Sequence, residues 1–146
     1  MGRITTLYGY IQEYPDRDNR YKRHNQKVLE HLPVESDWPF LNRGMFYLPK
    51  GEEQSGQIEY WGRVILLGGS FKALEDGWEE WLQKFESVLS QLIWYEARVH
   101  LITEWYGEQK CEWQISTGYS GELFKSKTLI LPTSKDWTFE GPREIR

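Results

Sequence analysis

The sequence predicts an α+β domain, an antiparallel sheet of five or six strands with two helices on one face. Three observations predict it. Several segments alternate apolar and polar residues, the period of a half-buried strand. Two segments carry apolar residues at i, i+3, i+4 and i+7, the stripe of an amphipathic helix. Their order is strand, helix, strand, strand, helix, strand, strand. The first six match the βαββαβ ferredoxin-like arrangement, with extra C-terminal strand(s).

Each element has its own warrant. Arg3 to Glu13 alternates and is rich in Tyr, Ile and Thr, which reads as a strand. Pro15-Asp16-Arg17-Asp18-Asn19 stops it and offers helix N-caps. Arg20 to Leu32 reads as a helix with Tyr21, Val28, Leu29 and Leu32 on one face, ended by Pro33. Glu35 to Asn42 is a loop, Arg43 to Leu48 a short strand, and Lys50 to Gly56 a polar turn. Gln57 to Leu67 reads as a long strand, apolar on both faces at Val64-Ile65-Leu66-Leu67 and broken by Gly68-Gly69.

The second helix is expected from Gly77 to Leu92. Trp78, Trp81, Leu82, Phe85, Val88, Leu89 and Leu92 form its stripe, and Asp76 with Glu79 makes a capping-box pair. Tyr95 to Trp105 and Lys110 to Ile115 then alternate as two strands of a hairpin. Core face meets core face only if the loop is odd-numbered. The expected loop is Gly107-Glu108-Gln109, with Trp105 opposite Cys111 and Thr103 opposite Trp113. A late strand is expected at Thr128 to Leu131. Thr133 to Arg146 reads as an irregular tail, pinned by Trp137 and Phe139.

At 146 residues the chain fits a single domain with one core. Net charge is -4, the sign opposite to that of most nucleic-acid binders, so no nucleic-acid partner is expected and a basic partner fits. One cysteine, Cys111, rules out an intramolecular disulfide and suits a reducing compartment. No apolar run reaches membrane-span length, and residues 1–7 lack the apolar block of a signal peptide. A cytoplasmic location without a membrane partner is the expectation. Aromatic residues reach 16%, enough both to fill a core and to leave contact anchors at the surface.

Catalytic and metal signatures are weak. His24 and His31 share a side of the first helix without a Cys or carboxylate at ligand spacing. His100 and Glu104 share a strand face about 13 Å apart, too far for one ion. The run Arg17, Arg20, Lys22, Arg23, Lys27 reads as a solvated helix face. Gly68-Gly69-Ser70 lacks the lysine and spacing of a phosphate loop. No metal, cofactor or catalytic residue is therefore assigned, and the expected protein is not an enzyme.

The strand alternation leaves one sheet face open and places Glu96, Glu104, Glu112 and Gln114 on it. The expected register sets Glu104 opposite Glu112, an unfavourable like-charge pair that a cationic partner would relieve. Tyr106 and Glu108 extend that site into the hairpin end.

Three stretches carry a resemblance. Trp38-Pro39-Phe40-Leu41-Asn42-Arg43-Gly44-Met45-Phe46, Trp81-Leu82-Gln83-Lys84-Phe85-Glu86 and Trp94-Tyr95-Glu96-Ala97-Arg98-Val99-His100-Leu101 resemble small acidic immunity proteins encoded beside bacterial polymorphic or Rhs-type toxins. The likeness is a texture of aromatic and acidic positions over residues 4 to 115. It implies a protein that occludes the active site or substrate groove of a toxin, and the acidic charge fits a basic toxin domain. The alternative reading is a small-molecule or carbohydrate-binding domain using surface aromatics.

Overall fold

The computed structural model describes residues 3–15, 18–49 and 61–145. The strands are β1 (Ile4–Gln12), β2 (Phe46–Tyr47), β3 (Val64–Lys72), β4 (Glu96–Thr103), β5 (Gly107–Ile115) and β6 (Trp137–Glu140). The helices are α1 (Arg20–Glu30), α2 (Trp78–Leu89) and α3 (Thr117–Lys125). All six strands join one antiparallel sheet in the order β2-β3-β1-β4-β5-β6. The stretch β2-β3-β1-β4 has the ferredoxin-like order, and β5 and β6 extend it beyond β4.

Strand alternation sorts the side chains. Leu7, Ile11, Ile65, Leu67, Phe71, Ala97, Val99, Leu101, Cys111, Trp113 and Ile115 are buried on the helix-covered face. The whole expected stripe of the second helix, from Trp78 to Leu92, is buried against them. Four of the eight tryptophans, Trp78, Trp81, Trp94 and Trp113, are fully buried, so half of the Trp excess is core. Along α2 the rings of Trp78, Trp81 and Phe85 stack in succession at 5.4 and 5.2 Å. Phe85 then meets Trp113 of β5, and Trp113 meets Phe139 of β6. This aromatic column ties helix to sheet to C-terminal edge.

Under the sheet's end lies a buried polar knot. Glu13, 0% exposed, accepts from Arg63 Nε at 2.7 Å and from Asn25 Nδ2 at 2.7 Å. Asn25 also exchanges two hydrogen bonds with the Ile93 backbone. The knot fastens α1 to the strand ends and leaves no Glu13 oxygen without a partner.

Several expectations are corrected. Arg43 to Leu48 is a 3-10 turn at Arg43–Met45 followed by only two strand residues. The polar turn expected at 50–56 lies outside the described residues, as does 57–60 of the long strand. That strand does not stop at Gly68-Gly69 but runs through both to Lys72. Neither glycine has positive φ. A Cβ on Gly69 would meet Met45 Cε at 3.5 Å, an ordinary van der Waals contact, so nothing in the strand breaks at this glycine. Leu66 faces solvent, so the strand is not apolar-buried on both faces.

No capping box opens α2. Asp76 is drawn instead to Arg3, and Gly77 occupies the cap under the Trp38 ring. The hairpin loop is odd-numbered but sits earlier, at 104–106, so Thr103 faces Gly107, Val99 faces Cys111 and Ala97 faces Trp113. Gly107 explains the shift. Its φ of +70° suits the left-handed residue that follows a three-residue loop, not the first loop residue. The Thr103 hydroxyl locks the turn, donating to Gly107 O and accepting the Tyr106 N–H. Trp105 is consequently expelled from the core face to 68% exposure.

The C-terminal third departs most. No strand forms at 128–131. The unpredicted α3 starts at Ser116, whose hydroxyl accepts the Tyr119 N–H, and buries Tyr119 and Leu123. The region read as an irregular tail contains a Thr133–Asp136 capping box and then β6, paired to β5. Beyond β6, Pro142 O accepts from Trp78 Nε1, and Arg143 binds Glu86 on α2. The tail therefore straps the helix side of the sheet.

Candidate functional site

The sheet face opposite the helices is exposed among the described residues, and three strands build its centre. β1 contributes Tyr8, Tyr10 and Gln12. β4 contributes Glu96, Arg98, His100 and Ile102, and β5 contributes Glu108, Lys110, Glu112 and Gln114. The pairing registers align them into cross-strand rows.

In the first row Tyr8 stands beside His100, with Lys110 beyond. The Tyr8 and His100 rings are stacked, centroids 4.8 Å apart. Glu108 Oε1 lies 3.0 Å from His100 Nδ1 and accepts from the Tyr8 hydroxyl at 3.4 Å. Desolvation, and then the neighbouring Glu108 carboxylate, push the Tyr8 hydroxyl above its usual range.

The second row runs Tyr10, Arg98, Glu112, Glu140. Arg98 Nη2 reaches Glu112 Oε1 at 3.1 Å, and Lys110 Nζ reaches the same oxygen at 3.3 Å. The Arg98 guanidinium carbon lies 5.9 Å from the Tyr10 ring centroid. Burial first, and then Glu96, raise the Tyr10 hydroxyl. Each row sets a tyrosine from β1 beside a base from β4; the β5 acid Glu112 lies in the second row, whereas Glu108 reaches the first from two residues along β5, past the in-register Lys110.

The third row is Gln12, Glu96, Gln114 and Thr138. Between the second and third rows lies a shallow depression of about 180 Å³, lined by Glu96, Arg98, Glu112, Gln114, Thr138 and Glu140.

The six residues expected to form the site fall into two groups. Glu96, Glu112 and Gln114 line the depression. Glu104 and Tyr106 lie in the hairpin turn, and Glu108 lies just inside it. Their nearest members, Glu108 and Glu112, are four residues or about 13 Å apart along β5. Glu104 does not face Glu112; it accepts the Ile4 N–H at 2.8 Å, and Arg98 takes the place opposite Glu112. The like-charge pair that does exist is Glu112 with Glu140 of the unpredicted β6. The alternation of β4 puts Arg98 and His100 on this face, and only the pairing register shows that they organise it. Tyr8 and Tyr10 were legible from the same alternation in β1, while Thr138 and Glu140 were not.

Elsewhere the candidate groups are engaged structurally. His24 and His31 contact backbone carbonyls, Gln91 O and Lys27 O. Cys111 is buried beneath Pro142, and burial raises its thiol to about 12. Among the described residues no group of three or more His, Cys, Asp or Glu could hold a metal ion. No helix among them is long and apolar enough to cross a membrane. No protein-family model, curated protein or solved structure matches the chain.

Proposed function

We propose that the protein is a non-catalytic protein-binding inhibitor of immunity type, which docks a basic partner on its open sheet face and occludes that partner's active site or substrate groove. The observation that carries the reading is the pair of cross-strand rows. Rigid strands hold Tyr8, His100 and Glu108, and beside them Tyr10, Arg98 and Glu112, in fixed mutual contact. Such a surface presents polar groups and ring edges at little ordering cost on binding. Glu96, Glu112, Gln114 and Glu140 offer acceptors to a partner's lysine or arginine, and Glu104, Tyr106 and Glu108 form an outer rim. Tyr8 and Tyr10 are held protonated, and the face is shallow, which suits recognition better than proton abstraction. The resemblance to toxin-neutralising proteins points the same way.

The test is to recover the partner with tagged protein, purify it, and titrate it with variants. Glu96→Lys with Glu112→Lys should weaken binding by a few kcal/mol, the scale of desolvated interfacial charge pairs. Lys125→Glu with Lys127→Glu, outside this face, should leave binding unaltered. Equal affinity for wild type and the Glu-to-Lys double variant at low salt would remove the open face from the interface.

A further inference from the structure

The sheet has an unfinished edge. β2 pairs with β3 only through Phe46 opposite Leu67 and Tyr47 opposite Leu66. β3 continues for five more residues, Gly68 to Lys72, with β1 on its inner side alone. Two bonds fix the phase of its ladder: Ala73 N–H to Arg3 O, and Glu13 N–H to Arg63 O. Both belong to odd-numbered β3-side positions, and hydrogen-bonded pairs alternate along an antiparallel ladder. The N–H and C=O groups of Gly68, Ser70 and Lys72 therefore point outward, and among the described residues they meet no partner.

We infer that this edge pairs with the same edge of a second copy, antiparallel about a two-fold axis at Ser70, to make one continuous sheet. The register selects that axis. Centred on Ser70, the pairs are Gly68 with Lys72, Ser70 with Ser70, and Lys72 with Gly68. All three are outward-pointing positions, so each exchanges two hydrogen bonds. Centred on Gly68, the second copy would run into β2. Centred on Lys72, two ammonium groups would face each other. A centre at Gly69 or Phe71 keeps only two outward pairs.

Side chains fit the same register. Lys72 is a residue type that blunts sheet edges. Here it faces Gly68 of the second copy, which has no side chain. Its stem can cross that glycine toward Tyr8 of the second copy, two strand spacings or about 9.6 Å away between backbones. An exposed tyrosine face attracts an ammonium group. Lys72 has no ion-pair partner of its own among the described residues. Beneath the edge lies an open, mainly apolar groove of about 600 Å³ where Trp38, Phe40 and Phe71 meet Ser70 and Lys72. Phe40 stacks on Phe71, and Trp38 is 46% exposed. The two-fold brings both grooves together, so these rings are shielded by their counterparts. The interface is isologous, with the same segment of β3 used by both copies, so the two-fold closes it after two copies.

Sedimentation velocity over a concentration series reads the association directly. The expected result is a concentration-dependent doubling of the 17.5 kDa mass. Ser70→Glu, which sets two carboxylates face to face on the axis, should return the protein to the single mass. Ser70→Cys should cross-link to a covalent dimer under mild oxidation. Thr6→Cys, on the same face but one strand inward, should not, and buried Cys111 stays silent. Hydrogen exchange at Gly68, Ser70 and Lys72 should slow as concentration rises. The inference is overturned by a single mass throughout with no Ser70→Cys cross-link. It is also overturned by a dimer that survives Ser70→Glu, or by protection of the three amides that is independent of concentration. Should Ser70→Glu misfold, the cross-linking pair decides. None of these outcomes bears on whether the open face binds a toxin, because partner titration is read separately.

Discussion

His100 lies flat against Tyr8, with ring planes within 5° of parallel, and Glu108 bonds both rings' polar atoms. One carboxylate from β5 thus fixes an imidazole from β4 and a phenol from β1. The contact should be visible in solution. Tyr8→Ala removes the ring current over His100, so the imidazole carbon-bound protons should move downfield in the NMR spectrum. Glu108→Gln, which keeps the stack, should move them less.

The α2 stripe predicts a different scale. Phe85 is fully buried between Trp81 and Trp113. Phe85→Ala should cost about 3–5 kcal/mol through transfer and cavity terms. A loss below about 1 kcal/mol would mean that the aromatic column carries little of the stability.

Glu86 and Arg143 supply a pH test. Burial opposes ionisation of Glu86, but hydrogen bonds from Arg143 and then Trp113 outweigh it, and the carboxyl titrates below its usual range. The folded value lies below the unfolded one. The ionised carboxylate therefore adds stability above the unfolded value of about 4.3, and that stability is lost as pH falls through the folded value. Arg143→Ala should cost about 1 kcal/mol at pH 7, since Arg143 is nearly half exposed. The gap from wild type should narrow as the solution is acidified. A gap that stays constant down to pH 2 would dissociate the tail strap from Glu86 ionisation.

The buried knot should be the least tolerant polar site. Arg63→Met leaves Glu13 with only the Asn25 amide, in a position without solvent exposure. A loss of about 3–5 kcal/mol is expected in denaturant. Adding Glu13→Gln to that variant should recover part of the loss, because the uncompensated charge goes with it. A double variant as unstable as the sum of the two single ones would show that the pair is not coupled.

Periodicity made the sheet's alternation and the α2 stripe readable, since a face that must be buried leaves a regular trace in one segment. What escaped was decided between segments. The shift of the hairpin loop rests on one glycine and on the Thr103 hydroxyl, and both odd loops satisfy the same alternation. α3 was hidden by Gly118 and Gly121, whose low helix propensity masks the Tyr119–Leu123 pair. β6 has four residues and gains its identity from pairing with β5. The candidate site suffered accordingly. Glu96, Glu112 and Gln114 do lie on the open face, but Glu104 and Tyr106 fall in the turn, because the neighbours of every site residue depended on a register that moved by several positions.

That moved register reverses one expectation about stability. If Glu104 faced Glu112, changing either to lysine would be neutral or favourable. In the structure Glu112 is held by Arg98 and Lys110, so Glu112→Lys sets three cations together and should cost about 1 kcal/mol. The repulsion lies on the other side of Glu112, across β5 and β6, where Glu140 stands opposite it. Glu140 is exposed and near the sheet's edge, so substitution there disturbs no packing. Glu140→Lys converts a like-charge cross-strand pair into an opposite one and should raise stability by about 0.2–1 kcal/mol at low salt. The gain should fade in 1 M salt, where screening acts within about 3 Å. It should also vanish in a Glu112→Gln background, which leaves the new lysine without its partner. A Glu140→Lys protein no more stable than wild type at low salt would mean that the two carboxylates splay apart in water, with the β5–β6 register contributing no electrostatic cost.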